Sequence, residues 1–152
     1  MSIRTFDAYT DGDAIEEMLK SGCPFPLTVT GTSMAPFLKN GRDTVWLVPY
    51  TGARRGKIIF FRRSDGSFVL HRIRKIRADG TLTVNGDSQR WMESVTPGQI
   101  AAEVSAITHR GKKRDASSFL IRLRDTLWYP TRPFRPALVK CSSAVKRLIR
   151  HN

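Results

Sequence analysis

Ser33 lies in the stretch "GTSMAPFLKNGRD", residues 31 to 43, between glycine, threonine and methionine and ahead of a proline. A serine hydroxyl is a poor nucleophile until a base takes its proton. The candidate bases are the three histidines and any lysine whose pKa burial lowers. His151 stands next to last in the sequence and His109 begins a basic linker, whereas His71 sits inside the strand-like run "VLHRI", where a fixed backbone could aim it. Taken singly, these residues read as a turn serine and a half-buried strand histidine. Catalysis requires the fold to bring them together.

The surrounding pattern supplies elements able to do so. Ile15, Met18 and Leu19 fall at helical spacing behind Asp11 and Asp13, which predicts a short helix over residues 7–20. From residue 26 to 109 the signals are those of short strands: "LTVTG", "DTVWLVPY", "GKIIFFRR", "SFVLHRIRKIRA", "GTLTVNG" and "PGQIAAEVSAITH". Asp65-Gly66 and Asp79-Gly80 each join two of these runs as a hairpin. In "FVLHRIRKI" apolar residues interleave with charge, as in a half-exposed antiparallel strand. The expectation is a mainly β, compact antiparallel domain with a short N-terminal helix.

A chain of 152 residues, 40% of them apolar, suits one domain with an appendage and can fill a core. Cys23 and Cys141 form no metal-binding or disulfide pattern, which fits a reducing compartment. No secretory leader or membrane-spanning run is visible. The net charge of +13 is uneven. Residues 1–109 carry 14 Lys and Arg against 11 Asp and Glu, while residues 110–152 carry 12 against 2. We therefore divide the chain into a β domain, 1–109, and a basic tail, 110–152. In the tail, "SSFLIRLRDTLWY" and "ALVKCSSAVKRLIR" read as two basic amphipathic helices suited to an acidic membrane surface through residues 117–150. Packing of one or both on the β domain is the plainer alternative.

The order "GTSMAP", "GKIIFF", "LHRIRKI", "VNGDSQ" resembles the type I signal peptidases, in the branch that pairs serine with histidine. The family's boxes read Gly-x-Ser-Met-x-Pro, Gly-Asp-Ile-Val-x-Phe, His-Arg-Val/Ile and Gly-Asp-x-Asn; the resemblance runs from residue 29 to about 104, roughly half the chain. It implies a signal-peptidase or repressor-cleavage type of β domain and a serine endopeptidase cutting a peptide or protein substrate after a small residue. Ser33 would be the nucleophile, His71 the general base and Asp87 the carboxylate that orients the imidazole, with Glu93 in "RWMES" as a reserve. Gly31 would permit a turn that aims the Ser33 N–H at an oxyanion; Thr32 would assist and Met34 would wall the cleft. No cofactor and no metal is expected.

The chain also departs from the pattern. "GRD" and "GK" replace Gly-Asp in the first and second boxes, which implies loosened acidic turns, and Gly31 stands where some relatives carry an oxyanion-binding serine. Without an anchor, the expectation is a cytoplasmic enzyme, peripheral on the inner face of the membrane. A non-catalytic module gripping an extended peptide or a membrane is the second reading. Binding to nucleic acid is disfavoured, because phosphate contacts have no use for the apolar stripes of the tail. Substrate identity and oligomeric state are not encoded in these features.

Overall fold

The computed structural model describes residues 12–118, 123 and 126–134. Helix α1, Gly12–Lys20, buries Ile15 and Leu19 and leaves Met18 45% exposed. Its apolar stripe is therefore narrower than the spacing suggested.

Eight strands follow: β1 Phe25–Thr28, β2 Thr44–Val48, β3 Ile58–Arg62, β4 Phe68–Ile76, β5 Leu82–Asn85, β6 Glu93–Val95, β7 Ile100–His109 and β8 Lys112–Asp115. They form one antiparallel sheet in the order β1-β2-β7-β3-β4-β5-β6, with β8 on β7. The mainly antiparallel β architecture is thus present. The basic stretch after His109, expected to be a linker, instead turns back at Arg110 and Gly111, both at positive φ, and pairs as β8. Its four residues are charged and exposed, so its strand state comes from the β7 edge that templates it.

Both predicted hairpins form. In each, a glycine at positive φ (Gly66, Gly80) follows an aspartate whose side chain accepts the N–H two residues on.

Strand alternation sends successive side chains to opposite faces, and β3 is buried on both. Ile58 and Phe60 join the larger core with Leu27, Met34, Leu38, Val45 and Leu70. Ile59 and Phe61 join a second cluster with Ile73, Leu82, Val84 and Val95. Each such side chain contributes roughly 1.5–3 kcal/mol by leaving water. Strand β4 lies between these clusters, which sets what its residues can touch.

In the tail, Leu123 and Thr126–Trp128 are helical and Tyr129–Phe134 forms a 3₁₀ turn. The second expected tail helix lies outside the described residues. Among the described residues no helix is long and apolar enough to cross a membrane.

Candidate active site

The loop carrying Ser33 connects β1 to β2 and is fastened at both ends. Val29 N–H donates to the Asp43 carbonyl, and Gly41 N–H donates to the Val29 carbonyl. Met34 and Leu38 are buried in the larger core and pin the middle. Asp43, expected to sit in a loosened turn, is instead fully buried. It accepts from Lys39 N–H and both Nε and Nη2 of Arg42, and His109 Nδ1 lies 3.0 Å from Oδ1. Burial works to raise the Asp43 carboxyl, but Arg42 and the Lys39 N–H outweigh it and hold it below the usual range. Lys57, in place of the second box's aspartate, pairs with Glu103 at 2.7 Å. Both departures are thus repaired by other partners.

Gly31 adopts φ +76°, a left-handed conformation that side chains resist, and the chain turns there into Ser33. Ser88 holds the turn from the other side. Its N–H donates to the Ser33 carbonyl at 2.8 Å, and its hydroxyl donates to the carbonyls of Thr32 and Ser33. Gly86 allows this approach, since a Cβ there would meet the Ser33 carbonyl oxygen at 2.7 Å. Among the described residues the Ser33 N–H and hydroxyl have no hydrogen-bond partner.

Ser33 and His71 line the same cleft, of about 260 Å³, with Gly31, Thr32, Met34 and Gln89. His71 is fully buried on β4, opposite Ile59 and 5.7 Å from the Phe61 ring. Among the described residues neither imidazole nitrogen makes a hydrogen bond, to Ser33 or to any other group. A buried polar group left so costs roughly 1–3 kcal/mol, so such positions call for a functional explanation. Glu93 Oε1 lies 3.3 Å from His71 Nδ1, near enough for charge attraction but off the line a hydrogen bond needs. Nε2 is likewise buried and has no hydrogen bond among the described residues.

The expected pairing of Asp87 with His71 is corrected. The Asp87 carboxylate, fully buried, accepts three bonds: from Arg72 Nε at 3.0 Å, Arg72 Nη2 at 2.7 Å and Arg74 Nη2 at 2.8 Å. Arg72 follows His71 along β4 and so projects to the opposite face, carrying Asp87 with it. The reserve carboxylate, Glu93, reaches the histidine because β6 pairs with β5 and sets Glu93 opposite Val84, in the cluster that contains Phe61. Arg63, from the β3–β4 turn, grips Glu93 with Nε at 2.8 Å and Nη2 at 2.5 Å.

Burial pushes the His71 imidazole down from 6.5 to about 4; Glu93 pulls it upward, Arg63 downward and Asp87 upward. Burial prevails because Arg63 already neutralises much of the Glu93 charge. For Glu93 burial acts upward, yet the Arg63 hydrogen bonds and the charges of His71 and Arg63 leave it lowered. His71 is therefore a neutral imidazole at pH 7, able to accept a proton. The same shift predicts acid sensitivity. Folding excludes a proton that the unfolded histidine binds, so this stability is complete above pH 6.5 and is lost as pH falls towards 4. Urea unfolding at pH 7 and pH 4 should show wild type losing about 3 kcal/mol more than His71→Gln.

Sequence reasoning missed Arg63, Ser88 and Gln89. Ser88 was accessible in principle, lying inside "GDSQ"; Arg63 sits in a turn that carries no signal for a long-range partner. Among the described residues no three metal-ligating side chains gather. Comparisons with protein-family models, curated proteins and solved structures each find no match.

Proposed function

We propose that this chain is a serine endopeptidase, with Ser33 as nucleophile and His71 as general base, in a β domain of the signal-peptidase type. The observation that carries this reading is the convergence on one cleft of a serine on a tight glycine turn and a buried, neutral histidine without hydrogen bonds. The Ser33 hydroxyl attacks the substrate carbonyl while His71 Nε2 takes its proton. The Ser33 N–H, which has no internal partner among the described residues, donates to the oxyanion. The imidazolium returns the proton to the departing amine, and water, activated by the same nitrogen, releases the acyl group. Glu93 stabilises the transient imidazolium, and Arg63 holds Glu93 in place. Substrate binding brings the Ser33 hydroxyl and His71 Nε2, which line the same cleft, into hydrogen-bond contact. The walls formed by Val29, Met34 and Leu70 suit a small side chain before the cut.

A peptide-gripping module without chemistry is favoured by one feature: among the described strands β1 pairs only with β2, so it is a terminal strand of the described sheet, the kind of position at which peptides add as strands. Cleavage of a peptide library, read by mass spectrometry, separates the two. The peptidase reading predicts cuts after small residues, slowed on the order of 10²-fold or more in Glu93→Gln. No cleavage by wild type would leave only the binding module.

A further inference from the structure

Leu123, Leu127 and Phe134 are 43%, 68% and 68% exposed, half of the six large apolar side chains that the described residues expose. Scattered singly, such residues need no explanation; three within twelve residues of sequence ask for one. The same segment is clamped to the β domain. Trp128 Nε1 donates to the Asp87 carbonyl at 2.7 Å, and its ring meets Phe37 edge-on at 5.5 Å. Arg55 and Arg74 sit over the Tyr129 ring at 5.7 and 5.2 Å. Phe37 belongs to the Ser33 loop, and Asp87 lies one residue before Ser88, which holds the Ser33 carbonyl. The segment thus places Trp128 against the Ser33 loop and the Asp87 turn and Tyr129 beneath two arginines, and leaves Leu123, Leu127 and Phe134 in water.

The chemistry of the missing partner follows from charge. Arg122, Arg124, Arg132 and Arg135 surround the exposed apolar residues in sequence, within a tail of 12 basic and 2 acidic residues. A second copy of this chain would bring a like charge against it, and nucleic acid would leave the apolar triplet unused. An interface that takes apolar groups beneath a layer of negative charge matches both features. We propose that Leu123, Leu127 and Phe134, in a stretch of sequence rich in arginine, form a docking face for an anionic lipid bilayer, tied through Trp128 to the loop that carries Ser33. The inference stands independently of the peptidase reading.

The test is co-sedimentation of the full chain with phosphatidylcholine vesicles with and without phosphatidylglycerol. Wild type and Ser33→Ala should bind the anionic vesicles equally and more weakly as salt rises. The Leu127→Glu/Phe134→Glu variant, altered only at exposed positions, should keep its melting temperature and bind about tenfold or more weakly. The proposal is overturned by binding that ignores phosphatidylglycerol, or by a double variant that binds like wild type. It is equally overturned if a DNA duplex binds more tightly than the vesicles, or if the double variant's only effect is to abolish self-association.

Discussion

Ser33→Ala is expected to abolish peptide cleavage, by on the order of 10⁴-fold or more, while leaving the fold intact. The two halves of that expectation have separate grounds. In the proposed mechanism the hydroxyl forms the acyl bond, so nothing replaces it. Yet it is half-buried and has no hydrogen-bond partner among the described residues, so removing it breaks no contact. The melting temperature should stay within about 2 °C. A large loss of stability would mean that Ser33 is a structural member of its turn. Cleavage by the purified variant at the wild-type rate would assign the activity elsewhere.

Asp87→Asn should do the reverse. Its carboxylate bonds two buried guanidinium groups, those of Arg72 and Arg74, both under 4% exposed at the side chain. Removing one partner from a buried ion cluster costs about 3–5 kcal/mol, because the remaining charges stay desolvated. Urea unfolding should show that loss at pH 7. A triple variant with apolar residues at 72, 74 and 87 should recover part of it, since the two guanidinium charges that faced the carboxylate are then gone as well. The correction made to Asp87 rests on this contrast. Were Asp87→Asn to keep wild-type stability and lose only activity, Asp87 would be the partner of the imidazole after all.

Much of this arrangement was legible in the sequence, and the exceptions have physical reasons. The Asp-Gly hairpins could be read because a left-handed glycine and an aspartate side chain are local requirements, met within five residues. Ser33 and His71, which taken singly read as a turn serine and a strand histidine, stood out only through the order of motifs that resembles the signal peptidases. The carboxylate was harder to place, as both Asp87 and Glu93 lie downstream at plausible distances. Strand parity held the answer: Arg72 and Arg74 alternate with His71, so an acid bonded to them faces away from it. Using that parity required β5–β6 pairing, and β6 is three residues, Glu-Ser-Val, too short to announce itself. Strand β8 was hidden by its charges, since "KKRD" has no apolar face and owes its conformation to β7. The contacts of Trp128 with Asp87 and Phe37 join residues 41 and 91 positions apart and leave no mark on either local stretch.

The central claim is that Ser33 becomes acylated with His71 as base. Brief reaction with the p-nitrophenyl ester of a short acetylated alanine peptide, an acid quench and peptide mapping by mass spectrometry read that bond directly. An acyl mass is expected on the peptide containing Ser33, formed at a rate that is level from neutral pH downwards and halves near pH 4, where the imidazole protonates. The rate should fall on the order of 10³-fold or more in His71→Gln. Acylation of another residue, or of Ser33 at an unchanged rate in His71→Gln, would contradict it.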